Sequence, residues 1–181
     1  MRRHLANLLI CLATAAVLSP ASLLAQNTPA RWKEYSYNGD SFAISAPAEP
    51  AMTRQDQRTA TGTVETHNYA IELGNNSGVM ISAAQFQSLQ SDSPKTNLKK
   101  AEEGALRAVN AKLISEHEIA LQGVPGIEFE AANDQFHTRV RMYLLNRKLI
   151  NMMMVAPKET QFPPEADRVF ASFKLLGVAG K

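Results

Sequence analysis

The sequence has almost no cysteine. Its one cysteine, Cys11, lies in an apolar N-terminal run and follows Leu9 and Ile10 rather than the small residues that a lipoprotein signal requires. If that run is cleaved, the remaining chain has no thiol. Disulfides, thiol catalysis and cysteine metal ligation are then excluded, and the fold must be stabilised by packing alone.

An excess of charge of one sign is also missing. The chain has 19 basic and 17 acidic residues, and removing Arg2 and Arg3 with the N-terminal run makes the two numbers equal. Nucleic-acid-binding proteins carry a strong basic excess, and proteins that lie on membranes carry a basic amphipathic helix. Since the sequence has neither feature, we expect no nucleic-acid partner and no stable membrane insertion after cleavage.

The N-terminus does contain the pattern of an export signal. Two arginines precede the apolar run Leu5–Leu18, and helix-breaking and small residues follow it up to Ala25. This order predicts a signal peptide that is cleaved near Ala25, with Ala21 as an alternative cut site, and a periplasmic or secreted mature protein. The run is shorter than the roughly 18 apolar residues that a membrane anchor needs.

The mature chain predicts one α+β domain. Apolar residues alternate up to Phe86, recur at helical spacing after Ser93, alternate again to Ala156, and return to helical spacing after Pro164. We therefore expect an antiparallel β-sheet with helices packed on both faces, an α/β/α sandwich. Because Leu149–Ala156 is apolar at almost every position, it is the predicted central strand. The expected divisions are a signal peptide (1–25), a flexible lead (26–31), the domain (32–177) and a C-terminal tail (178–181).

A hairpin is predicted around Asn133 and Asp134. A two-residue loop aligns the apolar positions of its two strands, and residues 123–126 are predicted to form the turn before it. The predicted pairs are Ala131 with Phe136, Phe129 with Thr138 and Ile127 with Val140 on one face, and Glu130 with His137 and Glu128 with Arg139 on the other.

The charged face of this hairpin is the candidate binding surface. Rows of opposite charge on neighbouring strands are ordinarily solvated and neutralise each other. Tyr143 continues the row, however, and an aromatic beside arginines is typical of recognition surfaces. This interpretation requires that the terminal helix does not cover the face. The candidate exposed face consists of Glu128, Glu130, His137, Arg139, Arg141 and Tyr143.

Catalytic groupings are scarce. No serine lies in a glycine-framed nucleophile elbow, and no glycine cluster resembles a phosphate-binding loop. The histidines His67, His117 and His137 lie on three different predicted strands, without the spacing of a metal site. His117 is predicted to face inward with Leu113 and Ile119, where burial would perturb a titrating group. We assign no catalytic residue, metal site or cofactor.

A run of three methionines has two interpretations. Thioether sulfurs bind Cu(I), and Met152 and Met154 share one face of their predicted strand, with Met142 as a third ligand if the register places it there. Methionine also fills irregular core space. Packing is the favoured interpretation, since this strand is the most buried one predicted.

Three segments resemble the PsbP-like fold family. Phe42–Pro47 resembles the family's opening strand, Leu121–Glu128 its glycine-rich strand turn, and Phe170–Leu175 its closing helix and strand. The family is named for an extrinsic subunit of photosystem II and includes a Ran-binding factor of nuclear import and many exported bacterial proteins. The resemblance implies this fold and, because characterised relatives act mainly by binding other proteins, a binding role. It implies no catalytic residue, and the chain lacks the basic N-terminal extension of the photosystem subunits.

The leading hypothesis is therefore an exported, non-enzymatic module that binds a protein partner or serves an accessory role in the bacterial envelope. Two alternatives stay open. One is a hydrolytic enzyme that uses His67 or His117 with a nearby carboxylate, and the other is methionine-based copper handling.

Overall fold

The computed structural model describes residues 31–59, 62–87 and 92–178. The predicted signal peptide and residues 26–30 of the predicted lead lie outside these ranges. Within them the strands and helices follow the order expected for an α+β domain. The elements are β1 (Lys33–Tyr37), β2 (Phe42–Ala46), β3 (Ala51–Thr59), β4 (Gly62–Gly74), β5 (Ser77–Gln85), α1 (Pro94–Ala108), β6 (Lys112–Leu121), β7 (Val124–Ala132), β8 (Phe136–Leu145), β9 (Lys148–Pro157), α2 (Pro164–Ser172) and β10 (Lys174–Leu175).

Seven strands form one antiparallel sheet in the order β3-β4-β5-β9-β8-β7-β6. Strand β9 lies at its centre, which confirms the prediction from its continuous apolar run, because a strand covered on both faces needs no polar side. Strands β3 and β6 are the two edges of the sheet among the described strands. The polar sequence of β3 suits an edge, where charged side chains are tolerated.

The N-terminal hairpin belongs to a second, smaller sheet with the order β1-β2-β10. Strand β2 pairs with β1 and, at Phe42 and Ala43, with the two residues of β10. Since Tyr37 pairs with Phe42, the β1–β2 turn consists of residues 38–41, and Ser41 has a left-handed φ of 65°. The alternating pattern of the hairpin does not indicate which of two sheets it joins, so the sequence interpretation missed the second sheet.

Alternate residues of β9 contribute to two apolar clusters. Ile150, Met152 and Met154 belong to the large cluster, which also contains residues of β2 and α2, and each is 0% exposed. Leu149 and Met153 pack against the small cluster, which contains Leu98 of α1. Because successive strand residues point to opposite faces, we call the two sides of the sheet the large-cluster face and the small-cluster face.

The turn before β7 is shorter than predicted. Leu121 pairs with Val124, so Gln122 and Gly123 form the turn, with φ values of 52° and 80°. Two positive φ values are what a type I′ hairpin turn requires. Gly126 instead lies within β7, where a Cβ would come within 2.6 Å of the carbonyl oxygen of Met142. It is a position of close backbone approach and not a turn residue.

The predicted register of the β7–β8 hairpin is wrong by two residues. The loop is longer because the Asn133 side-chain oxygen accepts hydrogen bonds from the backbone N–H groups of Gln135 (2.8 Å) and Phe136 (3.0 Å), which closes an Asx turn. A two-residue slip leaves every side chain on its predicted face. The observed pairs are Ala131 with Thr138, Phe129 with Val140, Ile127 with Met142, Glu130 with Arg139 and Glu128 with Arg141.

Helix α1 begins as predicted but buries an acidic residue. Ser93 is the N-cap, and its hydroxyl oxygen accepts a hydrogen bond from the Thr96 N–H at 3.2 Å. Glu102 is 0% exposed, and Lys99 Nζ lies 3.0 and 3.1 Å from its two carboxylate oxygens. Burial raises the pKa of Glu102, and the hydrogen bonds from Lys99 oppose that shift. At 15 and 9 residues, the two described helices are too short to span a bilayer.

Candidate functional site

The predicted charged row exists, and its charges are paired across β7 and β8. Arg139 Nε lies 2.9 Å from Glu130 Oε1, and Arg141 Nε is hydrogen-bonded to the Glu128 carboxylate. Tyr143 lies on the same strand face and belongs to the large cluster. These side chains are therefore on the large-cluster face, with their charges neutralised by cross-strand partners as the sequence pattern predicts.

Helix α2 and the segment before it lie over much of this row. Arg139 Nη1 lies 3.3 Å from Asp167 Oδ1 of α2, and the Arg141 guanidinium lies 5.3 Å from the centre of the Phe170 ring. The His137 and Phe162 rings stack with their centres 4.2 Å apart. The expectation that the whole row is exposed is thus wrong, because the C-terminal helix packs on it.

The six predicted residues differ in how much of each is covered. Tyr143 is only 4% exposed, whereas the side chains of Glu130 and Arg139 are 40% and 31% exposed. The Glu128 side chain is 13% exposed. Glu130 is therefore more exposed than Arg139 and Arg141, whose side chains are 31% and 32% exposed. The condition set for the row, that the terminal helix leaves it uncovered, is therefore not met where α2 packs on it, and a binding role stays a prediction for the uncovered part only.

Strand β6, which flanks this row, is exposed over most of its length. The His117 side chain is 58% exposed and its Nε2 lies 3.0 Å from Glu128 Oε1, so the prediction that it faces the core is wrong. His117 lies at an edge, where no further described strand covers it. Glu116 and Glu118 point to the opposite face, where they pair with Lys99 and Lys95 of α1.

A β-bulge explains why the face assignment failed in β6. Leu113 pairs with Ala131 and Ser115 with Glu130, so Ile114 is the extra residue. One inserted residue moves Leu113 to the face opposite Ile119. As a result Leu113 and Ile114 are 41% and 63% exposed. Alternation alone could not reveal these two exposed apolar side chains.

Asp40, His67 and Tyr69 form a network beneath the β1–β2 turn. Asp40 Oδ2 lies 2.8 Å from His67 Nδ1 and accepts a hydrogen bond from the Tyr69 hydroxyl. His67 Nε2 lies 3.0 Å from Glu65 Oε1. The His67–carboxylate contact that the enzyme alternative needs is therefore present. Asp40 was missed because it lies in a turn, 27 residues from His67, and no local pattern links the two.

The network is better suited to fixing the turn than to proton transfer. A general base needs a ring nitrogen that is directed at the nucleophile, and both nitrogens of His67 are directed at carboxylates. Burial, and then the hydrogen bond to Asp40, raise the pKa of Tyr69 well above its usual range, so Tyr69 stays a protonated donor. Because Asp40 and Glu65 contact different ring nitrogens, they do not converge on a metal position. In the described ranges, no group of three or more His, Cys, Asp or Glu side chains is placed to hold a metal ion.

The methionines are divided between the two faces of the sheet. Met152 and Met154 are 0% exposed within the large cluster, whereas Met142 belongs to the small cluster and pairs with Asn151. The register therefore does not supply Met142 as a third ligand beside Met152 and Met154. Their observed environment is that of packed core residues.

The whole fold is similar to that of a known protein. The solution structure of cyanobacterial PsbP (CyanoP) from Synechocystis sp. PCC 6803 covers 87% of this chain and 99% of its own, with a TM-score of 0.53 and 14% sequence identity. No protein-family model and no curated protein sequence matches the chain. At this identity the likeness establishes the fold and transfers no site residue. The family resemblance of the three sequence segments is thereby confirmed at the level of structure, and the chain has a PsbP-like fold.

Proposed function

We propose that this chain is an exported accessory module that binds a protein partner in the bacterial envelope, and that the partner adds a strand to the outer edge of β6. Export is supported by the N-terminal sequence pattern. The position of the partner is supported by one observation. Of the three large apolar side chains that are exposed among the described residues, Leu113 and Ile114 are neighbours on β6, and the third is Met52 on β3.

An edge strand offers a partner two kinds of contact. Its outward N–H and C=O groups form main-chain hydrogen bonds with an added extended segment, and its side chains select that segment. Fully burying a leucine or isoleucine contributes about 1.5–3 kcal/mol. With 41% and 63% of Leu113 and Ile114 exposed, covering both would contribute about 2 kcal/mol, or roughly 30-fold in affinity.

The charged row adjoins this edge. A strand added to β6 would lie beside His117, which contacts Glu128, and near Glu130, the more exposed of the two carboxylates of the row. The two surfaces are therefore adjacent at this edge. The β6 edge supplies the backbone and apolar contacts, and the uncovered part of the predicted row supplies polar contacts at its rim, as is usual for protein interfaces.

We also infer that the two helices cover opposite faces of the seven-stranded sheet. The alternation in β9 supports this, because Met152 packs with residues of α2 whereas Met153 packs with the cluster that contains Leu98 of α1. A sheet with helices on both faces presents its edges, rather than its faces, to an incoming chain. This arrangement is consistent with docking at β6.

Photo-crosslinking in the envelope tests the proposed function. A photo-crosslinking amino acid replaces Ile114 in one full-length variant and Met52, which is 56% exposed on the opposite edge, in a matched control. We expect a specific protein adduct from position 114 and none from position 52. The same adduct from both positions, or none from position 114, would contradict docking at β6.

Binding of the identified partner to the purified mature chain is the second measurement. Ile114→Lys should weaken binding at least about fivefold, since it removes about 1 kcal/mol of apolar contact. Met52→Lys should leave the affinity unchanged. Partner addition should also protect the backbone amides of β6 from hydrogen exchange, but not those of β3. A partner that binds wild type and Ile114→Lys equally well would show that it docks elsewhere.

A further inference from the structure

A small cleft lies between the β8–β9 turn, the β1–β2 turn and the residues that follow β10. Its volume is about 280 Å³, and the residues that matter for its chemistry are Ser41, Gln85, Leu145, Arg147, Lys148 and Leu176. Ligand pockets for whole cofactors range from about 300 to 1,000 Å³. A volume below that range suits a group of the size of one amino acid.

Two cations line the cleft, and neutral oxygens hold both of them. Lys148 Nζ donates a hydrogen bond to the Gly39 carbonyl at 2.5 Å and lies 3.3 Å from the Ser41 hydroxyl. Arg147 Nη1 donates a hydrogen bond to the Gln87 carbonyl at 2.6 Å. A carbonyl orients a cation without cancelling its charge. Among the described residues no carboxylate pairs with Arg147 or Lys148, unlike Arg139 and Arg141, which pair with glutamates, so both charges can attract an anion.

Backbone hydrogen bonds fix the walls of the cleft. The Arg147 carbonyl accepts from the Phe86 N–H at 2.9 Å and from Gln85 Nε2 at 3.3 Å, which ties the β8–β9 turn to the end of β5. The Leu176 N–H donates to the Ser41 carbonyl at 2.8 Å, which ties the C-terminal segment to the β1–β2 turn. Because these walls are already ordered, a ligand would lose little free energy to reorganisation of the site.

We propose that this cleft binds a carboxylate that carries an apolar side chain. The planar guanidinium of Arg147 matches the geometry of a carboxylate, and Lys148 adds a second positive charge. Leu145 and Leu176 supply an apolar wall for the adjoining side chain. This is the chemistry of the C-terminal residue of a peptide and also of a free acylated amino acid. The site uses none of the β6 residues, so a test of this proposal does not depend on whether a partner docks at the β6 edge.

Calorimetric or NMR titration of the mature chain tests the site. The probes are N-acetyl-leucine, a short acetylated peptide that ends in leucine with a free carboxylate, and the same peptide amidated at its C-terminus. We expect the free acid to bind at least about tenfold more tightly than the amide, since a charge-assisted hydrogen bond is lost. A peptide that binds more tightly than N-acetyl-leucine identifies a peptide C-terminus as the source, and equal affinities identify free acids.

Matched variants locate the binding. Arg147→Gln should weaken binding of the free-acid peptide about tenfold or more, whereas Lys158→Gln, at an exposed lysine in the turn after β9, should have no effect. Lys148→Gln serves as a second variant, with its melting temperature measured because Lys148 also holds the β1–β2 turn. Equal binding of acid and amide, equal competition by inorganic phosphate, no binding at millimolar concentration, or an undiminished affinity in Arg147→Gln would each overturn the proposal.

Discussion

Removing the hydroxyl group should lower stability at one of two neighbouring tyrosines and not at the other. The rings of Tyr37 and Tyr69 lie 4.2 Å apart between their centres, and both contact Phe42. The Tyr69 hydroxyl donates a hydrogen bond to the buried Asp40 carboxylate. The Tyr37 hydroxyl oxygen is buried and has no hydrogen-bond partner among the described residues. A change to phenylalanine keeps each ring and removes only the hydroxyl.

The magnitudes follow from these different environments. A hydrogen bond to a charged group contributes about 1.5–3 kcal/mol, and its loss leaves Asp40 with His67 as its remaining side-chain partner among the described residues. We therefore expect Tyr69→Phe to lower the free energy of unfolding by about 2 kcal/mol, or roughly 4–8 °C in melting temperature for a domain of this size. An unpaired buried hydroxyl costs about 1 kcal/mol or more, so Tyr37→Phe should be neutral or stabilising by about that amount.

Urea unfolding of the mature chain at neutral pH is the assay, with melting temperature as the second readout. The double variant Tyr69→Phe with Asp40→Asn should cost less than the sum of its two single changes, because both remove the same contact. Equal effects of Tyr37→Phe and Tyr69→Phe would refute the reasoning, since they would show that the Asp40 hydrogen bond contributes nothing beyond ring packing. Strict additivity of the double variant would refute it as well.

Two further predictions concern pH and packing. The pKa of Tyr69 is raised in the folded state, so above about pH 10 this tyrosine ionises in the unfolded chain while it stays protonated in the folded one. Its contribution to the free energy of unfolding is therefore fully present below that pH, and the free energy of unfolding falls above it by up to about 1.4 kcal/mol per pH unit. Alkaline unfolding of wild type should therefore be steeper than that of Tyr69→Phe, and parallel pH profiles would contradict this. Gly126→Ala should cost about 2–3 kcal/mol, because its Cβ would lie 2.6 Å from a backbone oxygen and from the Tyr143 ring. Gly39→Ala, which meets no atom within 4 Å, is the control and should leave the urea midpoint nearly unchanged.

Much of the fold could be predicted from neighbouring residues in the sequence. The N-cap Ser93, the polar edge strand β3, the central strand β9 and the cross-strand neutralisation of the charged row all follow from local periodicity and charge. Even the wrong register of the β7–β8 hairpin kept each side chain on its face, because the error was an even number of residues. These predictions agree with the structure because each depends on a few adjacent positions.

The errors about which side chains are exposed come from packing and pairing that local alternation does not show. The Phe170 ring of helix α2 lies against the Arg141 guanidinium, and the bulge at Ile114 reverses the face of Leu113. Neither effect can be recognised in the local alternation of apolar and polar residues. The same holds for Asp40, which meets His67 only because the small sheet packs on the large one. Exposure at an edge likewise depends on which strands happen to be neighbours.

The sequence by itself determined the elements, the faces of most of them, the central strand and the family resemblance, because hydrophobic periodicity and capping are short-range properties of the chain. Only the tertiary structure decided which of those faces are exposed. It placed β6 at the edge of the sheet among the described strands, packed α2 on part of the predicted binding row, and brought three separate segments together around Arg147 and Lys148. Each of these outcomes depends on long-range packing, for which adjacent residues carry no signal.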